Sequence, residues 1–463
     1  MQTRHDPYYY LPKFVRLEAR VTARSTARLR DYVLALSGGS TPKKEEEEKY
    51  YADAESGIPF VRVQNLNVDG HLSLDDVKYV NRETHEGLLN RSKVFQDDLL
   101  VKITGVGRMA VASVPPIGFE GNVNQHIARI RTESRATSEA LAAWLNTDIA
   151  ETLAKRRSTG GTRPALDYPA LRSIPVILDA QVQKELSEAY AQCKQAEAKA
   201  NELLAGIDDY LLSELGIILP PEPENTIASR IFTAQRKELA GWRFDPLFHS
   251  FGLWHAIEES RIPTKKLGLC CHYLKTGFAA GGDMQLFDNS GVIQLRPTNI
   301  DTNRELVFGR NVYLDKSVLM DRPDDVIRPG EVLFNNTNSQ ELVGKTAYMD
   351  IDGESFVCSN HMTRLAVIED ELDAEYLTSL LNAYQRLKVF FSLCTNWNNQ
   401  SGVNVDLLRQ LPIPLPSKEK QMVIAGNIRA IRQEAKRLRQ TAETELDAAK
   451  RQIEAILFGE ETA

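Results

Sequence analysis

The chain carries its own sequence twice. Gly291-Val292-Ile293-Gln294-Leu295-Arg296 answers Gly57 to Arg62, 234 positions on. Phe244-Asp245-Pro246-Leu247-Phe248 answers Asp6-Pro7-Tyr8 at an offset of 239, and Gln410-Leu411-Pro412-Ile413-Pro414 answers Ser173-Ile174-Pro175-Val176 at 237. Gly330 to Phe334 answers Gln96 to Leu100, and the helical pattern Tyr376 to Phe391 answers Ser138 to Ala154. Matching order at a nearly constant offset predicts two copies of one globular unit, with small loop insertions absorbing the drift.

Each copy leads into a long amphipathic helix. From Val182 to Gly216 one apolar seam carries Leu186, Cys193, Ala200 and Ile207, and the other carries Ala189, Ala196, Leu203 and Tyr210. This heptad suits a partner helix. Lys184, Glu185, Glu188, Lys194, Glu197, Lys199 and Glu202 fill the outer positions. A second stripe runs from Ile424 through Ile431, Leu438 and Leu446 to Ile456. Two such stripes are buried most economically against each other. Between the copies, three prolines at 220, 221 and 223 forbid helix and mark a stiff linker. The expected fold class is α+β: two similar mixed α/β domains joined by long helices in an antiparallel coiled coil. The expected bounds are domain 1 over 1–179, helix 1 over 180–217, linker 218–226, domain 2 over 227–416 and helix 2 over 417–463.

Within the first copy, Lys13 to Arg28 reads as a helix, Gly57 to Val63 as a buried strand, and Leu99 to Thr104 and Met109 to Val114 as strands around a Gly105-Val106-Gly107 turn. A net charge of −7 argues against a simple polyanion binder but leaves room for a local basic face. Five cysteines, none in a CxxC pair, suggest reduced thiols and a cytoplasmic location. No apolar run reaches membrane-spanning length, so no membrane role is expected.

Catalytic motifs are missing. Val114-Pro115-Pro116-Ile117 and Leu219-Pro220-Pro221-Glu222 do not fit the Asp/Asn/Ser-Pro-Pro-aromatic run with which an adenine-N6 methyltransferase grips its base. Gly344-Lys345-Thr346 has Ser339 where a phosphate loop needs its first glycine, so a turn is the simpler reading. His126 and His361 read as polar members of strand ends, and no His/Cys spacing suits zinc.

DNA-reading chemistry remains. Phosphates call for Arg and Lys, and base edges for Arg, Asn and Gln. Lys155 to Arg163 offers four cations (Lys155, Arg156, Arg157 and Arg163) with Thr159, Gly160 and Gly161. The glycines would let backbone N–H groups approach phosphate. The answering stretch offers Asn396, Asn398, Asn399 and Gln400 around Trp397. Asn335, Asn336 and Lys345, with the matching Lys102 and Arg108, form a neighbouring hairpin set. A solvated loop or a polar turn is the bland alternative for each.

The Ser37-Gly38-Gly39-Ser40-Thr41-Pro42 turn, Gly57 to Val63 with Asn65, the loop Ser158 to Arg163, and the repeated apolar-Pro-apolar step before each long helix carry a resemblance. Taken in duplicated order, they resemble the DNA-specificity subunit of type I restriction-modification systems over nearly the whole chain. The resemblance implies two target-recognition domains, each reading half of a split site in double-stranded DNA. It implies a coiled-coil ruler that docks two methyltransferase subunits and often nuclease-translocase subunits. It implies no catalysis and no cofactor on this chain, with S-adenosylmethionine held by the partner methyltransferase. The second half departs from the pattern, having Cys394 to Gly402 in place of a Gly-Gly-Thr-Arg loop. Two other readings stay open at this point: a stand-alone divergent methyltransferase or nuclease, and a coiled-coil adaptor of another phage-defence complex.

Overall fold

The computed structural model describes residues 6–43, 47–74, 77–221, 226–227, 231, 233, 252–397 and 400–458. The answering Phe244 to Phe248, and residues 222–225 of the proline linker, lie outside them. The chain forms two compact units, residues 1–198 with 438–463, and residues 199–437. The division falls within the long helices rather than at their ends, unlike the bounds expected from sequence. The reason is packing: each helix segment buries its apolar stripe in the core of the unit it touches.

Among the described residues the first unit has two sheets. One runs β1 (Ala35–Gly38), β6 (Ile127–Arg131), β3 (Leu99–Lys102) and β4 (Ala112–Ser113), all antiparallel. The other is centred on β2 (Ile58–Val61), which pairs in parallel with β5 (Glu120–Val123). In the second unit the matching sheet runs β7 (Cys271–Thr276), β12 (Met362–Val367), β9 (Val332–Asn335) and β10 (Thr346–Tyr348). There β8 (Val292–Leu295) pairs in parallel with β11 (Phe356–Cys358). Both units share one strand order and one parallel crossover, so the repeat read in the sequence is a repeat of topology.

Smaller features repeat too. Asn65 Oδ1 accepts from Arg62 N at 2.9 Å, and Asn299 Oδ1 from Arg296 N at 3.0 Å. Asn146 bonds both N and O of Ala112, while Asn382 bonds both N and O of Thr346. A Cβ on Gly39 would stand 2.1 Å from Val123 O and Asn124 O, and one on Gly277 would stand 2.0 Å from Cys358 O. Only glycine lets the chain pass the neighbouring turn this closely.

Three local expectations need correction. Leu99 pairs with Ile130 and Val332 with Leu365, so Leu99 answers Val332 at an offset of 233 rather than 234. A one-residue slip reverses every face; in the true register Asp98, not Asp97, answers Glu331. The helix expected over Ser138–Ala154 is two helices, Arg135–Leu145 and Asp148–Arg157. Asn146 leaves the helix to hold Ala112, and Thr147 caps the next one by accepting from Ala150 N. The helix expected over Val182–Gly216 is Ala180–Ala205 followed by Ile207–Glu214, with Gly206 between them.

The closing helix spans Lys418–Phe458. In the first unit Ile453 and Leu457 share a core with Val182, Leu186 and Tyr190. In the second unit Ile424, Ala425 and Ile428 share a core with Ile207, Leu211 and Leu215. There Asn427 Nδ2 donates to Tyr210 Oη at 2.6 Å, and Lys420 pairs with Glu214. Among the described residues no helix is long and apolar enough to cross a membrane.

Candidate nucleic-acid interface

In each unit four connections meet at one end of the antiparallel sheet. In the first unit these are the turn after β1, the Asn124-Gln125-His126 turn between β5 and β6, the end of β3, and the loop after helix Asp148–Arg157. That loop is pinned, because Thr159 and Ala165 exchange both backbone hydrogen bonds and Leu166 N donates to Ile103 O at 2.8 Å. In the second unit Thr395 pairs with Gly402, and Val403 N donates to Asn336 O at 2.9 Å. The two loops are structural equivalents despite their different sequences.

Arg156 and Arg157 do not belong to the exposed surface, which corrects the sequence reading. They are 7% and 3% exposed. Glu18, on helix Pro12–Arg24, binds Arg156 Nη1 and Arg157 Nη2 at 2.6 Å each, with Arg28 Nη1 at 3.4 Å. Arg156 also donates to Tyr9 O and stacks over the Tyr9 ring at 4.2 Å, and Arg157 donates to Ser173 Oγ. Burial raises the Glu18 pKa, but the Arg157 hydrogen bond and the charges of Arg157, Arg156 and Arg28 outweigh it and hold the carboxyl below its usual range. These arginines bolt the N-terminal helix to the domain.

The hairpin candidates are structural as well. Lys102 is buried and donates to Val106 O at 2.7 Å, stapling the Gly105–Gly107 turn, and burial pushes its pKa down. Arg108 is held by Asp148 at 2.6 Å and Glu151 at 3.3 Å. Asn335 and Asn336 are buried; Asn336 Nδ2 donates to Thr363 Oγ1 at 2.9 Å. Lys345 Nζ donates to Ile300 O at 2.7 Å, and burial lowers its pKa. A buried polar group is normally satisfied within the fold; here only Arg108 Nε and Asn335 Oδ1 lack a partner among these groups.

The exposed candidates are Lys155, Thr159, Gly160, Gly161 and Arg163 in the first unit, and Asn396 and Gln400 in the second. Lys155 pairs with Glu151 at 2.8 Å. Arg163 lies 3.3 Å from His126 Nε2, which also meets Gln125 at 3.4 Å; Gln125 in turn pairs with Thr41. Burial, then the Arg163 charge, lowers the His126 pKa, which favours the neutral ring. Asn396 Oδ1 accepts from Ser401 Oγ at 2.6 Å. Asn398 and Asn399 lie outside the described residues.

Sequence reasoning missed a groove in the second unit. Arg296, Arg310, Asn311, Thr337, Asn338, His361 and Gln400 line it. Arg310 is exposed, and Arg296 donates to Gln294 Oε1 at 3.1 Å. A signal was available: Arg62 and Arg296 occupy one position of the repeat, as do His126 and His361. Such a surface presents guanidinium, amide and imidazole groups, the set that pairs with base edges and phosphates.

Comparison with known proteins finds several similar chains. One relative, named as the type I restriction enzyme MjaX specificity subunit of Methanocaldococcus jannaschii, is 31% identical over 96 residues, 21% of this chain. The chain spans 23% of that relative's length. A chain solved in work on complex assembly and conformational transition of the type I R-M system is 15% identical. It covers 93% of this chain and 95% of its own, at a TM-score of 0.44. The type I restriction-modification S subunit from M. genitalium is 11% identical, covering 94% and 96%, at a TM-score of 0.41. Residues 289–446, most of them in the second unit, match the family model of the type I restriction modification DNA specificity domain, so the resemblance read from the sequence is borne out there.

Proposed function

We propose that this chain is the DNA-specificity subunit of a type I restriction-modification complex. The observation that carries the reading is the match of residues 289–446 to the specificity-domain family, in a chain whose first unit repeats the second's topology. Each unit reads one half of a split site in double-stranded DNA. Arg163, His126 and Gln125 contact one half; Arg296, Arg310, Asn338 and Gln400 contact the other. Lys155, Thr159, Gly160, Gly161 and Asn396 flank these groups and meet the phosphates.

The helices Ala180–Ala205 and Lys418–Phe458 act as an antiparallel coiled-coil ruler and dock two methyltransferase subunits and nuclease-translocase subunits. In support, the first unit packs Ile453 and Leu457 of the closing helix with Val182, Leu186 and Tyr190, and the second packs Ile424 and Ile428 with Ile207 and Leu211 of the following helix Ile207–Glu214. The chain works in the cytoplasm and performs no chemistry; S-adenosylmethionine is bound by the methyltransferase.

The test is a pair of alanine variants in the assembled methyltransferase complex. Arg310→Ala should relax or weaken recognition in one half-site only, costing about 1–3 kcal/mol if it reads a base. Arg163→Ala should do so in the other half. Loss in the same half-site from both, or in neither, contradicts the assignment.

A further inference from the structure

On the sheet of the first unit that holds β2 and β5, a histidine and two carboxylates converge. His85 lies on helix Arg82–Glu86, whose N-cap Asn81 accepts from Thr84 N at 2.8 Å. The ring is fully buried. Its Nδ1 is 2.7 Å from Asn122 Oδ1. The amide orientation is fixed, because Asn122 Nδ2 donates to Leu89 O at 2.9 Å and a carbonyl oxygen can only accept. Oδ1 must therefore face the ring, and Nδ1 must carry the hydrogen.

The other nitrogen, Nε2, lies 3.1 Å from Glu120 Oε1 and 3.8 Å from Glu86 Oε1. Glu86 gives its second oxygen to Lys93. An ionised carboxylate has only lone pairs to present, and so does the ring tautomer that Asn122 selects. Something positive must lie between them.

We propose that His85 Nε2, Glu120 and Glu86 bind a divalent first-row metal ion, zinc in particular, with water completing a four-coordinate shell. All three ligand atoms lie within 4.8 Å of one another. Tetrahedral nitrogen and oxygen ligands about 2.0–2.2 Å from zinc stand roughly 3.3–3.5 Å apart, between the two distances seen. Asn122 is the outer partner that fixes the ring, as metal-bound histidines usually have. Glu86 can use Oε1 while Oε2 keeps Lys93. The ion would fasten helix Arg82–Glu86 to β5 and so stiffen the sheet.

The competing arrangement is an imidazolium that donates to Glu120 with no metal. Zinc chloride is titrated calorimetrically into chelator-treated full-length chain at neutral pH, beside Glu120→Gln and Glu86→Gln. Both replaced side chains are about half exposed, so folding should survive, as circular dichroism would verify. The expected result is a one-equivalent site that each variant weakens at least about tenfold. Cobalt in place of zinc should give tetrahedral visible absorption in the wild type alone. Wild-type protein that takes up no zinc, or variants that bind it as tightly, would overturn the proposal in favour of the imidazolium pair.

Discussion

Replacing Glu18 with Gln tests whether Arg156 and Arg157 hold the fold or face a ligand. The Arg156 and Arg157 side chains are 8% and 3% exposed, and the Glu18 carboxylate bridges them at 2.6 Å. Gln keeps the shape but leaves the guanidinium charges uncompensated. Removing one partner of a buried pair costs about 3–5 kcal/mol. The low end, about 3 kcal/mol, applies because an amide oxygen still accepts one hydrogen bond. With a urea dependence of about 2 kcal/mol/M, the unfolding midpoint of the first unit should fall by about 1.5 M. Hydrogen exchange in a urea series, followed in helices Pro12–Arg24 and Asp148–Arg157, assigns the loss to that unit. The exposed Arg163→Ala should instead shift stability by less than about 0.5 kcal/mol. If Arg163 meets a phosphate, that variant should lower the salt slope of DNA binding by about 0.9. An unchanged midpoint in Glu18→Gln, or tighter DNA binding as Arg156 and Arg157 are released, would refute the structural role.

The same carboxylate sets a pH dependence. Its folded pKa lies below the ordinary 4.5, so its stabilisation is complete above about pH 4.5 and is lost as pH falls through the folded value; acid titration of Glu18→Gln should lack this limb. Gly277→Ala would place a Cβ 2.0 Å from Cys358 O, which is backbone and cannot swing aside. A loss of about 1–3 kcal/mol in the second unit is expected, read as a lowered melting temperature. Matched four-residue insertions near Lys194 and Leu438 should lengthen the ruler by about 6 Å and widen the unread spacer of the methylated motif by one or two base pairs at about 3.4 Å each. An unchanged spacer in an active complex would remove the ruler from the account.

The topology was legible because duplication constrains it twice over. Gly57 to Arg62 and Gly291 to Arg296 both became the strand that pairs in parallel, and the loops after Ser158 and Cys394 fell at equivalent places. Of the two expected seams, Leu186, Ala189, Ala200 and Ile207 are buried, whereas Cys193, Ala196, Leu203 and Tyr210 are half-buried. Charge was the poor guide. Arg156 and Arg157 look like a basic patch in sequence, yet their counter-ion lies 138 and 139 residues away on another helix. Asn335 and Asn336 look like amides free to read bases, yet the end of a central strand needs them inside. No local pattern reveals such partners. Arg296 and Arg310 were overlooked for the opposite reason, since isolated arginines form no motif until the fold gathers them with His361 and Gln400.

The most direct measurement is a genome-wide map of N6-methyladenine in cells carrying a cognate methyltransferase subunit, with and without this chain. The expected result is a bipartite motif with two specified halves and an unspecified spacer, methylated only when the chain is present. Methylation that is identical in its absence, or a single contiguous motif in its presence, would contradict the assignment of specificity to these two units.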